Sequence, residues 1–226
     1  MKKQIGFTLV ELLIVISLIA ILSVGVLATI NPIEQRNKAA DANTSNDSGE
    51  VLNALERYYT NQSNYPWMVV DSSILVDDAY YLRSNVVGLG LCGAADTSTD
   101  GALTVCDTYD TPGSLISSDE LKSSFLQKKY GLTSSETGYN ANNLLYVVKE
   151  SSTENNSLYV CYIPKAKSNR TSSNSLKKLA INAAGLPTGI VDAVTTGTGA
   201  DFDSTGKPIA AWDFLAPATS LFKCVP

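Results

Sequence analysis

From Phe7 to Ile30 the chain is apolar almost without interruption, and polar residues take over abruptly afterwards. Those 24 positions make a helix of about 36 Å, enough to cross a hydrocarbon core of about 30 Å. Lys2 and Lys3 precede the run and predict that this end stays cytoplasmic while everything downstream is sent outward. One position breaks the pattern: Glu11 places a carboxylate near the front of a segment that otherwise belongs in lipid.

Beyond Ile33 the stretch IEQRNKAADANTSNDSGE is polar, and VLNALERYYTNQSNYPW follows. Val51, Leu52, Leu55, Tyr58 and Tyr59 recur there at helical spacing and form one apolar stripe. Asn61, Asn64 and Pro66 predict the stop. Gly25 and the Asn31-Pro32 step weaken the helix where it leaves the apolar run, since Pro32 donates no hydrogen bond and disfavours helical geometry before it. The poor helix formers from Asn43 to Gly49 predict a second weak point. The expectation is one helix of about 50 residues, interrupted or bent.

Downstream, Ser117-Ser118-Asp119-Glu120 has the form of a capping box before LKSSFLQKKYG, with Gly131 as a stop, so a short helix is expected there. LLYVVKE from Leu144 and SLYVCYIP from Ser157 have the composition of two strands of a hairpin. SLKKLAINAAG is expected to be another short helix, and PIAAWDFL from Pro208 a third strand. SNRTSSNS and TTGTGADFDSTG are loops by composition, and no internal repeat is present. The predicted class is α+β, a small antiparallel sheet covering the stripe of the long helix.

Composition removes several functions. The net charge of −5 and a pI near 4.8, with no basic stripe along the sequence, argue against strong nucleic-acid binding. The absence of histidine removes the commonest general base, the usual zinc ligand and the Ser/His and Cys/His nucleophile pairs. The apolar run admits three readings. A cleaved signal peptide would use Val26-Leu27-Ala28 as its small-residue site, but the run is long for one and carries an acid. A plain single-span anchor also leaves Glu11 unexplained. A carboxylate deep in a membrane helix costs about 2.5–3.5 kcal/mol on insertion scales and usually has a designated partner.

The third reading supplies one. KKQIGFTLVELLIVISLIAIL resembles the leader and mature start of the type IV pilin and pseudopilin family: a short basic leader, Gly, then Phe-Thr-Leu-x-Glu opening an apolar helix. The resemblance implies cleavage by a prepilin peptidase between Gly6 and Phe7, N-methylation of Phe7, and pairing of Glu11 with the Phe7 amine of a neighbouring subunit. It implies a leader at 1–6, a transmembrane and filament-core helix at 7–30, an amphipathic continuation at 31–65, and an extracellular pilin-like α+β head at 66–226. The implied protein is a structural subunit and not an enzyme. Its implied partners are identical or related pilin subunits, the prepilin peptidase, an assembly platform protein with a motor ATPase, and membrane lipid before assembly. It would reside in the cytoplasmic membrane first and in an extracellular filament afterwards. A type II secretion pseudopilin or minor pilin is the nearest alternative. A membrane-anchored extracellular enzyme or binding module sharing only the leader is the more distant one; no convincing Asp/Glu pair or Ser/Lys site stands out for it.

Cys92, Cys106, Cys161 and Cys224 lie in the outward part, where an even count favours disulfides. Sequence alone leaves three pairings. We favour Cys92–Cys106, closing a short polar loop, and Cys161–Cys224, because the family often staples its C-terminal region. Free thiols and a zinc site are the alternatives, the latter lacking both histidine and a Cys-x-x-Cys pair. No cofactor is expected, with calcium as the exception to weigh. Asp201, Asp203 and Thr205 alternate before Gly206 like the front of a calcium loop, and some pseudopilins bind calcium in a C-terminal loop. Trp212 occupies the position of the expected glutamate, and a solvated turn is the plainer reading. Asn-x-Ser/Thr sequons begin at Asn43, Asn46, Asn61, Asn155 and Asn169, a frequency this Ser/Thr/Asn-rich composition produces by chance.

Overall fold

The computed structural model describes residues 6–29, 31–70, 80–93, 106, 111–128, 130, 143–150, 157–171, 175–181, 187–193 and 221–226. Two helices lead. α1 spans Leu9–Thr29 and α2 spans Pro32–Gln62. Between them Asn31 is the N-cap of α2, its side chain accepting from the Glu34 backbone N–H, with Pro32 at the first helical position. A proline there gives up a hydrogen bond that no first-turn residue makes. The helix therefore restarts at the Asn-Pro step.

The weak middle does not break. α2 runs unbroken through 43–49, where the Thr44 hydroxyl donates to Ala40 O and the Ser48 hydroxyl to Thr44 O. Side chains that compete with helix elsewhere are here turned back onto it. The end comes at Gln62, capped by Ser63 in the left-handed region (φ 57°). A short α3, Pro66–Val70, follows.

β1 (Tyr80–Arg83), β2 (Leu145–Lys149), β3 (Leu158–Tyr162) and β6 (Lys223–Val225) form an antiparallel sheet in the order β1-β2-β3-β6. Side-chain alternation divides it into two faces. Leu82, Leu145, Val147, Leu158, Val160 and Tyr162 pack with Val51, Leu52, Ala54, Leu55 and Tyr58 of α2 into the main core. Tyr146, Val148, Cys161 and Phe222 make a second cluster on the reverse, with Ile190 packed against it. β2 is buried along its whole length, which is why LLYVV is continuously apolar rather than alternating.

Two expected helices are corrected. Residues 177–181 form a strand, β4 (Lys177–Ile181), paired with β5 (Pro187–Asp192) in a separate hairpin. Lys177 also exchanges both backbone hydrogen bonds with Phe222, at 2.8 and 2.7 Å. Backbone pairing to Phe222 outweighs the helix preference of a Lys-Lys-Leu-Ala run. At Ser117–Glu120 a helix ends instead of starting: α4 is Ser114–Ser117, Asp119 turns left-handed (φ 59°), and only a 3₁₀ turn follows at Ser123–Gln127. Glu120 cannot serve as a cap because Arg57 and Asn61 of α2 hold its carboxylate, at 2.9 and 2.7 Å. The proposed stop at Gly131, the turn at 151–156 and the strand from Pro208 lie outside the described residues.

Candidate processing and assembly site

The N-terminal segment is built by its own first turn. Thr8 precedes Leu9, the first residue of α1, and Glu11 stands at the third helical position. The Glu11 carboxylate accepts from the Thr8 backbone N–H at 2.9 Å and from the Thr8 hydroxyl at 2.7 Å. The Thr8 hydroxyl in turn receives the Glu11 N–H at 3.2 Å. This is a reciprocal capping box, satisfying helix N–H groups that have no partner within the helix. It also places the carboxylate beside the helix start, where the positive end of the backbone dipole favours an anion.

So Glu11 has a local task in the isolated chain, a signal present in the Thr-x-x-Glu spacing that the sequence reading did not use. That task leaves the carboxylate at the surface and close to Phe7, which is 81% exposed. A group held there can exchange its local donors for a charged one brought by another chain.

Every described side chain from Gly6 to Val26 is exposed, and Leu9–Val26 is apolar and long enough to cross a membrane. A continuous exposed apolar cylinder of this size has to be covered by lipid or by other chains.

In the head, Cys92 is bonded to Cys106 and Cys161 to Cys224. Cys161 and Cys224 are register partners on β3 and β6, so that bond ties the C-terminal strand to the sheet interior. No group of metal-ligating side chains occurs among the described residues; Asp201, Asp203 and Thr205 lie outside them.

Geometry thus defines the class: an apolar, membrane-length N-terminal helix with a capped acidic start, carrying a disulfide-linked α+β head. Comparison with protein families agrees at the same end of the chain. Residues 1–27 match the prokaryotic N-terminal methylation motif, the class III signal peptide of type IV pilins and pseudopilins. No curated protein and no solved structure matches the chain. The motif implies processing by a prepilin peptidase, membrane anchoring and a structural role. Its boundaries include Gly6, Phe7 and Glu11 and stop short of the head.

Proposed function

We propose that this chain is a structural subunit of an extracellular type IV pilus filament. The prepilin peptidase cuts between Gly6 and Phe7, the new Phe7 amine is methylated, and the mature protein waits in the cytoplasmic membrane. An assembly platform and its motor ATPase then extract it, α1 packs among the α1 helices of other subunits, and the heads form the outer shell. The observation that carries this reading is the uncovered α1 bearing one carboxylate at its start.

Both charges are costly in an apolar bundle when alone. Brought together, the Phe7 amine of one subunit and Glu11 of the next relieve each other and fix how far one helix slides past its neighbour. Mass spectrometry of the mature N-terminus tests the reading. An N-methylated Phe7 is expected; a chain still beginning at Met1, or beginning after Ala28, overturns it.

A further inference from the structure

The sequence shows no basic stripe, but the fold builds one. The loop after β3 carries a 3₁₀ turn, Lys167–Asn169, which returns to the first half of α2. Asp41 accepts from the backbone N–H groups of Lys165 (2.7 Å) and Ala166 (3.0 Å) and from Asn169 Nδ2 (2.7 Å), and Glu34 accepts from Ser168 N–H at 3.2 Å. This anchoring brings Lys167 and Arg170 alongside Lys38, which lies one turn past Glu34 on the same face of α2. Lys223 of β6 joins them, lining a cleft of about 460 Å³ together with Lys38, Ser45, Ser168 and Asn169.

Four basic residues, Lys38, Lys167, Arg170 and Lys223, therefore gather around two acids in a chain whose net charge is −5. Both acids are engaged: Asp41 is 2% exposed and holds three donors, and Glu34 holds the Ser168 N–H. Among the described residues, none of Lys38, Lys167 and Lys223 forms an ion pair. The cluster's height is set by chain connectivity. Thr29 ends α1 and Pro32 begins α2, so Lys38 lies only about 9 Å of helix rise past the start of α2. Lysine side chains at that height reach the headgroup layer.

We propose that this basic collar, centred on the Lys38–Lys223 cleft, docks the head onto anionic phospholipid headgroups of the membrane that holds α1. Ammonium groups flanked by hydroxyl and amide donors suit a phosphodiester, and each basic residue near an anionic surface adds about fivefold in affinity. The inference rests on the membrane-held state in the proposed function.

The test uses the full-length processed chain in lipid nanodiscs, with lysine acylation read by mass spectrometry. Discs containing about 30% phosphatidylglycerol should slow labelling of Lys38, Lys167 and Lys223 at least threefold relative to neutral discs, and about 0.5 M salt should erase the difference. Lys122 is the internal control. It neighbours Glu120, which meets Arg57, about 28 Å along α2 from Lys38. A K38Q/K223Q variant should lose most of the protection at Lys167.

Equal labelling in both disc types, protection that extends equally to Lys122, or an unchanged Lys167 in the variant overturns the proposal. Protection in neutral discs on adding glycerol phosphate assigns the cleft to a soluble phosphate and overturns the lipid docking. A chain that polymerises normally but labels equally in both discs defeats this inference alone. A chain showing lipid-dependent protection but never polymerising defeats the subunit reading alone.

Discussion

Asp41 lies on the first third of α2, in a stretch whose sequence is polar and helically unremarkable, yet its carboxylate is buried beneath three donors. Replacing it with alanine strands the N–H groups of Lys165 and Ala166 and the Asn169 amide together. The expected cost of Asp41→Ala is about 3 kcal/mol, read as a shift in the denaturant midpoint of the head. An effect below about 0.5 kcal/mol would show that water replaces the carboxylate without penalty. A second polar junction lies further along α2. The Tyr130 hydroxyl donates to Asp47 at 2.6 Å, Lys128 pairs with Asp47 at 2.7 Å, and Lys128 also sits 4.4 Å from the centre of the Phe125 ring. Burial, then the hydrogen bond to Asp47, raises the Tyr130 hydroxyl well above its ordinary range. For Lys128 burial pulls downward, but Asp47 and Glu50 more than offset it and the net direction is up. Both groups hold their protons more tightly folded than unfolded. Their contribution is complete below the unfolded values near 10 and is lost as pH rises through the folded ones. Stability should fall above about pH 10, and Tyr130→Phe should flatten that fall while costing about 1 kcal/mol at neutral pH. Urea titrations of both proteins at the two pH values measure this; an identical alkaline loss in the variant would remove Tyr130 as its source.

At the scale of elements, the apolar stripe at 51, 52, 55, 58 and 59 identified the buried face of α2: the first four are buried against the sheet, Leu55 completely, and Tyr59 is half-buried at its edge. Leu55→Ala should cost about 3 kcal/mol, since the sheet across from it is held by strand pairing and cannot collapse into the space. A loss under about 1 kcal/mol in chemical denaturation would mean that the helix settles inward. The strands of the β2–β3 hairpin were equally legible, because LLYVV and LYVCY carry runs of β-branched and aromatic residues that few other elements need. Propensity failed where tertiary bonds outbid it. Residues 177–181 are a strand because Phe222 and β5 supply backbone partners. Ser117–Glu120 fails as a cap because Arg57 and Asn61 claim the glutamate. Helix α2 survives its weak middle because Asp47 there is bound by Tyr130 and Lys128, neighbours more than 80 positions away in the chain.

For the whole molecule, the head and α1 follow opposite rules. The head closes two apolar clusters about its sheet and links its C-terminal strand through Cys161–Cys224, while α1 exposes apolar side chains along its described length. Only assembly or lipid reconciles the two, and in the proposed function Glu11 pairs with a neighbouring chain when assembly replaces lipid. Glu11→Val should leave a processed, membrane-resident protein that yields few or no filaments by electron microscopy. Normal fibre yield from that variant would show that the charge pairing is dispensable. Loss of membrane insertion instead would point to the Thr8–Glu11 cap as the essential contact.

What the sequence determined by itself are the features written in neighbouring residues: a membrane-length apolar helix, the leader motif with Gly6, Phe7 and Glu11, the restart at Asn31-Pro32, the stripe of α2 and the β2–β3 strands. Each depends on periodicity, chain stiffness or a short-range cap, which operate over a few positions. Only the tertiary structure decided that β6 lies beside β3 with Cys224 opposite Cys161, that Asp41 reaches the loop at 165–169, and that Lys38 of α2 and Lys223 of β6 line one cleft. Those features depend on which distant segments share space, and burial and hydrogen-bond satisfaction settle that for the chain as a whole.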